Sequence, residues 1–276
     1  AILFSFSFVM EYYVVLDFEA TCDNTNAPSP QEVIEFPSVL VNAKTLKIVD
    51  EFQEYVLPHH HPTLREFCTE LTGIQQETVD KADKFSTVFQ HHQDWLTSKG
   101  LSLNEDVKEK TWAFVTCGDW DLGTMLPIQL DASEPKIQIV PQCYRRWINI
   151  KKPFAQRTSK PSTGMAGMLK TLDLSLDGHH HSGIDDCRNI SKILIELCKR
   201  DGEIDITCQT ALSRYPKINI TLCFGDQSKA LLLKKRSIKT LFGLASGAFR
   251  KQMKTCIVEG TDKVLNDDDD LRTLKE

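Results

Sequence analysis

The stretch YYVVLDFEATCD, residues 12–23, joins a run of apolar and β-branched residues directly to two carboxylates. The run predicts a buried strand over Tyr12–Phe18. Asp17 and Glu19 stand where this strand ends, one on each side of Phe18. Burial strongly disfavours the ionised form of a carboxylate that has no partner. We therefore expect these two acids to share a cationic partner at the end of the strand.

The composition is typical of a globular protein. Of the 276 residues, 41% are hydrophobic and 26% are charged, which suits one large domain with an appendage, or two small domains. The nine cysteines form no CxxC pair, so we expect reduced thiols in an intracellular protein, cytoplasmic or nuclear. The apolar residues 1–9 lack the features of a signal peptide and are too short to span a bilayer. We expect a soluble protein for which Met10 is a candidate native start.

The charge is distributed unevenly along the chain. The net charge of −5 combines −10 over residues 1–205, +9 over 206–256 and −4 over 257–276. A basic segment behind an acidic domain favours contact with nucleic acid, although a solvated lysine-rich surface explains the charge equally well. The charge pattern leaves both interpretations open.

Strand and helix patterns alternate along the chain. The predicted strands cover residues 12–18, 32–41, 47–56 and 111–117. The predicted helices cover residues 64–71, 85–99, 122–130, 165–174 and 185–199. A connection that contains several prolines precedes the helix at 165–174. Strands first, then helices alternating with strands, indicate an α/β fold in which helices cover a mixed sheet.

Two further acidic pairs occupy similar positions. Asp119 and Asp121 come directly after the apolar run TWAFVTC, and Asp185 and Asp186 open an amphipathic helix just after HHHSG. Ligands of open α/β sheets collect beyond the carboxyl ends of the strands, so the pairs that follow strands can converge there. Carboxylate oxygens are the ligands that Mg²⁺ and Mn²⁺ prefer. Two such ions roughly 3.5–4 Å apart form the clamp used in phosphodiester hydrolysis.

Each of these residues also has an ordinary structural interpretation. Asp17 can cap the start of a loop, and the helix dipole favours an acid such as Asp185 or Asp186 in the first turn of any helix. His181 lies in a histidine triplet and can be a surface residue. The similar triplet His59–His61 is interpreted as a solvated loop. The combination of acids, rather than any single member, indicates a metal site.

The order of three short motifs shows a family resemblance. DFEAT, CGDWD and HSGIDD resemble, in this order, the three motifs of the DEDDh (DnaQ-like) 3′→5′ exonucleases. The flanking stretches PQEVIEFPSVLVN, FCTELTGIQ and RRWINIKKPF are similar to the ERI-type RNA exonucleases, the enhanced-RNAi and histone-mRNA 3′-end group. The resemblance covers about residues 11–205. It implies an RNase H-like α/β fold with a five-stranded mixed sheet flanked by helices.

The resemblance also implies a division of the chain into domains. An N-terminal apolar segment, 1–10, precedes an exonuclease domain at 11–205, and a basic and then acidic C-terminal extension covers 206–276. Part of the extension, SKALLLKKRSIKTLFG, faintly resembles the GRF-type zinc finger. Only Cys223 and Cys256 stand in plausible ligand positions there, and two ligands cannot build a closed zinc site. A degenerate remnant of that finger and an unstructured basic tail are the main alternatives to a functional zinc finger.

The resemblance assigns roles to individual residues. The implied catalytic residues are Asp17, Glu19, Asp121, His181 and Asp186. The four acids are the implied ligands of two Mg²⁺ ions, with Mn²⁺ as an alternative, and His181 is the implied general base. The acids next to them in the motifs, Asp119 and Asp185, are left with supporting roles.

Residues beside the motif acids are candidates for substrate binding. They are Phe18, Ala20, Thr21 and Trp120. Their side chains can pack the terminal base and sugar, and stacking on an aromatic ring tolerates any base. Core packing is the alternative for Phe18, because it alternates with two acids.

The expected function is that of a metal-dependent 3′→5′ exoribonuclease. It would release nucleoside 5′-monophosphates from RNA 3′ ends, in the processing or degradation of small or structured RNA. The expected partner is an RNA 3′ end, single-stranded or in a short overhang, and no membrane partner is expected. Two alternatives stay open at this point: a DNA-directed 3′→5′ exonuclease, and a catalytically silent RNA-binding or scaffold protein on the same fold.

Overall fold

The computed structural model describes residues 10–104, 111–137 and 140–210, and the backbone of four short segments in the C-terminal region. These segments are 218–224, 227–233, 256–257 and 264–265. The chain divides into two compact units: residues 1–134 with 141–210, and residues 135–140 with 211–276. The predicted N-terminal apolar segment, apart from Met10, lies outside the described residues.

A mixed sheet forms the centre of the first unit. Its strands are β1 (Tyr12–Leu16), β2 (Glu19–Ala20), β3 (Val33–Asn42), β4 (Lys47–Leu57), β5 (Asp83–Lys84), β6 (Trp112–Thr116), β7 (Arg146–Asn149) and β8 (Cys208–Gln209). They lie in the order β5-β4-β3-β1-β6-β7-β8, and β2 pairs with β3. β1, β6 and β7 are parallel, whereas β3 is antiparallel to both β1 and β4. The predicted five-stranded mixed sheet is confirmed, and three two-residue strands extend it.

Helices surround this sheet. They are α1 (Glu66–Thr72), α2 (Gln76–Asp80), α3 (Phe85–Ser98), α4 (Leu126–Ala132), α5 (Lys151–Thr158), α6 (Met165–Thr171) and α7 (Gly183–Asp201). A π-helical turn at Asp121–Met125 leads into α4, and a 3₁₀ turn at Gln142–Arg145 precedes β7. Among the described residues, no helix combines the length and the apolar character that a bilayer crossing requires.

The region before α6 contains more regular structure than its prolines suggested. The sequence pattern predicted only a connection there, but the structure has β7 and α5. Pro153 is the third residue of α5, and the first turn of a helix tolerates proline because its N–H groups have no partner inside the helix. β7 is only four residues long and fully buried, so it shows no polar alternation that would mark it as a strand.

The longest helix, α7, packs one apolar face on the sheet and is held at its C-terminal end. Ile190, Ile193, Leu194 and Leu197 are fully buried, as the amphipathic pattern predicted, and each buried side chain of this size contributes about 1.5–3 kcal/mol. The guanidinium of Arg157 donates hydrogen bonds of 2.7, 2.9 and 2.8 Å to the carbonyl oxygens of residues 197, 202 and 203. A cation at this end also complements the helix dipole.

The second histidine triplet is part of the framework. The backbone N–H groups of His59, His60 and His61 donate to the carboxylate of Glu32 at 2.6, 2.8 and 2.8 Å. Glu32 is only 1% exposed. The rings of His59 and His60 are exposed, as expected for a solvated loop, but the backbone of the triplet binds a buried anion. The triplet therefore fixes the path of the chain after β4.

The other face of the sheet is covered by α3 and a cluster of aromatic rings. His92, on α3, is fully buried among them. Its ring nitrogens share hydrogen bonds with the Ser38 hydroxyl at 2.9 Å and the Tyr144 hydroxyl at 2.7 Å. Burial lowers the pKa of His92 from 6.5 to about 3. His92 therefore stays neutral in the folded protein over most of the pH range.

The described part of the second unit contains two strand pairs. β9 (Ile218–Phe224) and β10 (Gln227–Leu233) form an antiparallel hairpin, and β11 (Cys256–Ile257) pairs antiparallel with β12 (Val264–Leu265). The side chains of Cys223 and Cys256 lie outside the described part of the chain. The degenerate zinc finger therefore stays a prediction.

The buried His92 predicts a pH dependence of stability. The unfolded protein binds a proton at this residue below pH 6.5, whereas the folded protein does so only near pH 3. The free energy of unfolding should therefore fall, as the pH drops from 6.5 towards 4, by up to about 1.4 kcal/mol per pH unit more than in a His92→Gln variant. Urea titrations of both proteins at several pH values measure the difference. Parallel pH curves would contradict a neutral, buried His92.

Candidate active site

The four motif acids come from separate segments and meet in one cavity. Asp17 follows β1, Glu19 lies in β2, Asp121 begins the π-helical turn after β6, and Asp186 lies in the first turn of α7. β1 and β6 are parallel neighbours, so their carboxyl ends lie at the same edge of the sheet. All four acids line a cavity of about 340 Å³. Carboxylate oxygens of Asp17, Glu19 and Asp186 lie within 4.8 Å of one another.

Burial and mutual repulsion keep these carboxyl groups from ionising easily. Desolvation, followed by the charges of neighbouring acids, raises the pKa of Asp17 well above its ordinary value and that of Glu19 to about 9. Desolvation raises the pKa of Asp121 and of Asp186 to about 6. At neutral pH Glu19 therefore holds a proton unless a cation joins it. A cation at the end of β1, as expected from the sequence, would lower these pKa values and balance the charge of Asp17 and Glu19.

Hydrogen bonds orient Asp121 and Asp186 and leave one oxygen of Asp186 without a partner. The backbone N–H of Phe18 donates to Oδ1 of Asp121 at 2.9 Å, and that of His181 donates to Oδ2 of Asp186 at 3.1 Å. Within the described residues, the buried Oδ1 of Asp186 has no hydrogen-bond partner. A buried acceptor without a donor is costly, and a hard cation satisfies it. The donor set therefore fits a divalent metal ion.

His181 lines the same cavity from the loop before α7. Its backbone has a φ of +71°, a left-handed conformation that costs a residue other than glycine about 1–3 kcal/mol and is concentrated at functional sites. Burial, together with His180 and His179, lowers the pKa of His181. A neutral imidazole facing the acids can accept a proton.

His180 also belongs to the cavity, although the sequence did not single it out. Its ring centroid lies 4.0 Å from that of His181, and its Nε2 lies 3.9 Å from Oδ2 of Asp186. Donor atoms of these three residues lie within 4.8 Å of one another. Within a run of three histidines, only the backbone geometry decides which rings face the acids.

Glu35 is a fifth acid that the sequence analysis missed. It is 1% exposed and stands opposite Glu19 in the β2–β3 register. Its carboxylate accepts hydrogen bonds from the backbone N–H of Gly183 at 3.0 Å and of Ile184 at 3.3 Å, and from Nε2 of Gln53 at 2.8 Å. Glu35 thus binds the N-terminus of α7 to the sheet. The available signal was the position of Glu35 within the largely apolar stretch PQEVIEFPSVLVN. Its partner, the N-terminus of α7, depends on tertiary contacts that the sequence does not reveal.

Gly183 allows the close approach of α7 to the sheet. A Cβ atom at this position would lie 2.8 Å from Cγ of Pro37 and 2.9 Å from the carbonyl oxygen of Asp17. Both distances are too short for a real Cβ. The helix that provides Asp186 can therefore begin directly against β1 and β3 because residue 183 has no side chain.

The two other motif acids bind neighbouring groups instead of lining the cavity. Asp119 accepts hydrogen bonds from Nε1 of Trp147 and from Sγ of Cys208, both at 2.9 Å. Asp185 accepts a hydrogen bond of 2.9 Å from Nη1 of Arg188. Their geometry agrees with the supporting roles that the resemblance implied.

Three of the four candidate substrate-binding residues line the cavity. They are Phe18, Ala20 and Trp120. Trp120 is 40% exposed and offers an indole surface, whereas Phe18 is 3% exposed and its ring packs edge-on against Phe36 at 4.7 Å between centroids. Core packing, the alternative for Phe18, therefore describes its side chain, and its backbone N–H orients Asp121.

Thr21 lies outside this cavity. It is 4% exposed and lines a larger neighbouring cavity. Its Oγ1 accepts a hydrogen bond of 3.0 Å from the backbone N–H of Glu32. The hydroxyl of Thr21 is buried and bonded to the framework, and its contact with substrate stays a prediction.

Known proteins similar to this chain are exonucleases. The RNase_T family, described as exonuclease, matches residues 14–194. The human protein named ERI1 exoribonuclease 3 is 44% identical over 190 residues, which are 68% of this chain and 54% of the relative. The human 3′-5′ exoribonuclease 1 is 38% identical over 199 residues, 71% of this chain and 55% of the relative. The chain spans about half the length of these curated relatives.

Solved structures show the same similarity. The nuclease domain of 3′hExo, described as a DEDDh family member bound to rAMP, has a TM-score of 0.67 and 37% identity, and the match covers 73% of this chain and 98% of that domain. A 3′-exonuclease described by its 3′-end specific recognition of a histone mRNA stem-loop has a TM-score of 0.63 and 32% identity, covering 81% and 91%. The predicted family is confirmed: this chain belongs to the RNase_T exonuclease family, as a DEDDh 3′→5′ exonuclease of the ERI type.

Proposed function

We propose that this protein is a metal-dependent 3′→5′ exoribonuclease that releases nucleoside 5′-monophosphates from RNA 3′ ends. One observation carries the proposal: four acids from three separate segments share a cavity with the neutral imidazole of His181. No single structural role explains this convergence, because burial and neighbouring acids raise the pKa of Asp17 and Glu19. The arrangement is useful only when cations and a negatively charged substrate enter it.

The proposed cofactor is Mg²⁺, as two ions, with Mn²⁺ as the alternative. Exonucleases of this family depend on metal, and the unpartnered Oδ1 of Asp186 together with the neighbouring oxygens of Asp17 and Glu19 suits a hard cation. A bound divalent ion would lower the pKa of a water molecule and stabilise the charge that develops on the phosphate. We assign Asp17, Glu19, Asp121 and Asp186 as the ligands of the two ions.

The remaining chemistry belongs to side chains of the cavity. An imidazole nitrogen of His181 accepts the proton of the attacking water, since the lowered pKa keeps the ring neutral at physiological pH. Trp120 offers its exposed indole to the terminal base, and Ala20 lines the same cavity. A cavity of about 340 Å³ lies at the small end of the range of ligand pockets. This size suits a single terminal nucleotide.

RNA is the proposed substrate because the similar proteins act on it or bind it. The two curated relatives are named exoribonucleases, one solved structure contains rAMP, and another recognises a histone mRNA stem-loop. Processing or degradation of small or structured RNA, in the cytoplasm or the nucleus, is the proposed setting. DNA cleavage and RNA binding without cleavage are the outcomes that would replace this proposal.

A cleavage assay tests the proposal directly. Purified protein incubated with 3′-labelled single-stranded RNA and Mg²⁺ should release labelled nucleoside 5′-monophosphate, and EDTA should stop the release. The same sequence as DNA should be cleaved more slowly. Faster cleavage of DNA would reassign the substrate, and binding of RNA without cleavage in Mg²⁺ or Mn²⁺ would indicate a silent protein.

Replacement of one buried acid should stop the chemistry without unfolding the protein. Asp121→Asn keeps the oxygen that accepts the Phe18 N–H but removes a charge that the metal site needs. We expect kcat to fall by about 10³-fold or more, with RNA binding and melting temperature nearly unchanged. Steady-state kinetics and a filter-binding assay measure these effects.

Asp119→Asn is the matched control, because the change is identical and the residue lies two positions away. Its carboxylate binds Trp147 and Cys208 outside the cavity. We expect a loss of activity of less than about tenfold, since asparagine can still accept the hydrogen bond from Trp147. Equal losses in both variants would contradict the assignment of Asp121.

Metal binding should be visible without any substrate. Mg²⁺ at about 100 times its dissociation constant should stabilise the folded protein by about 2.7 kcal/mol, which corresponds to a rise of about 5–10 °C in the melting temperature. The rise should be largely lost in an Asp186→Asn variant, which lacks the unpartnered carboxylate oxygen. Thermal melts with and without Mg²⁺ measure it, and an equal rise in both proteins would place the metal elsewhere.

A further inference from the structure

Lys151 lies at the same edge of the sheet as the catalytic acids. It is the first residue of α5, directly after β7 and Ile150. β7 is parallel to β6, which is parallel to β1. The carboxyl ends of these three strands therefore bring together Asp17, the loop that leads to Asp121, and Lys151. No motif in the sequence pointed to this lysine as part of the site.

The ammonium group of Lys151 lies over the loop between β6 and Asp121. Its Nζ is 3.5 Å from the position that a Cβ atom on Gly118 would occupy. The residue before Gly118, Cys117, lines the acidic cavity. Burial raises the pKa of Asp121, and the positive charge of Lys151 opposes that rise. The amine is therefore close enough to the cavity to act on its charges.

In the described part of the chain, Nζ of Lys151 forms no hydrogen bond or ion pair. The neighbouring lysine behaves differently: Nζ of Lys152 donates to the carbonyl oxygen of Thr207 at 3.1 Å and to Sγ of Cys208 at 2.9 Å. Two adjacent lysines thus face different surroundings. Lys152 contacts the edge strand β8, whereas Nζ of Lys151 lies near the acids and can bind another group.

The negative charge of the four acids disfavours the approach of RNA phosphates unless a positive group lies nearby. An RNA strand brings phosphates towards a cavity lined by four acids, and metal ions bound by these acids would supply positive charge to the phosphate inside the cavity. A lysine ammonium is a compact donor that binds phosphate oxygens well. We propose that Lys151 binds a phosphate of the RNA backbone at the rim of the active site and so positions the 3′ end. This inference rests on the proposed function, since it names a further contact of the same substrate.

Steady-state kinetics on 3′-labelled RNA with Mg²⁺ give the first test. Lys151→Met should raise KM about tenfold and leave kcat within about twofold, because a contact made equally in the bound substrate and the transition state affects KM alone. Lys151→Arg keeps the charge and should restore most of the affinity. Lys152→Met is the matched control and should keep the wild-type KM. Melting curves confirm that all variants fold.

The salt dependence of RNA binding gives a second test that needs no cleavage. Each phosphate contact to a single strand contributes about 0.7 to the slope of log Kd against log salt concentration. In an Asp121→Asn background, Lys151→Met should reduce this slope by about 0.7, whereas Lys152→Met should leave it unchanged. The slope therefore distinguishes a phosphate contact from general support of the fold.

Two results would overturn the inference. In the first, Lys151→Met matches Lys152→Met in both KM and salt slope. In the second, Lys151→Met requires more Mg²⁺ for half-maximal activity while KM for RNA stays constant, which would mean that the lysine acts on Asp121 and not on RNA. Failure of the proposed function is a separate result, because a wild-type protein that cleaves no RNA would still report the Lys151 contact through the binding slope.

Discussion

The repulsion among buried carboxylates is the constraint on which the rest of this structure depends. Asp17, Glu19, Asp121 and Asp186 are held in one small cavity, although burial raises the pKa of all four and neighbouring acids raise the pKa of Asp17 and Glu19 further. A fold tolerates such an arrangement only if packing elsewhere is strong enough to prevent the acids from moving apart. The molecule meets this requirement with a continuous sheet and with a helix that is held at both ends.

The attachment of α7 shows how local bonds resist that repulsion. At its N-terminus the helix donates two backbone N–H groups to Glu35, and at its C-terminus three carbonyl oxygens accept hydrogen bonds from Arg157. An anion at the first end and a cation at the second both complement the helix dipole. The buried apolar face of α7 adds further packing against the sheet. Asp186 therefore has little freedom to move away from Asp17.

Neighbouring residues in the same motif serve different purposes, because their side chains point to different surroundings. In DFEAT, the backbone N–H of Phe18 orients Asp121 while its ring packs in the core. In CGDWD, Asp119 binds Trp147 while Asp121 lines the cavity. In HSGIDD, Asp185 binds Arg188 while Asp186 faces the other acids. Each motif thus combines a carboxylate that lines the cavity with a neighbouring group that bonds or packs elsewhere.

The amino-acid sequence by itself determined the strands and helices with strong periodicity, the family, and the five catalytic candidates. These features depend on local spacing and on short motifs, which a single chain displays directly. β7, α5, the role of Glu35 and the different surroundings of Lys151 and Lys152 were decided only by the tertiary structure. Strand register and the direction of a side chain arise from contacts between residues far apart in the chain. No local pattern encodes which partner a buried acid or a lysine will meet.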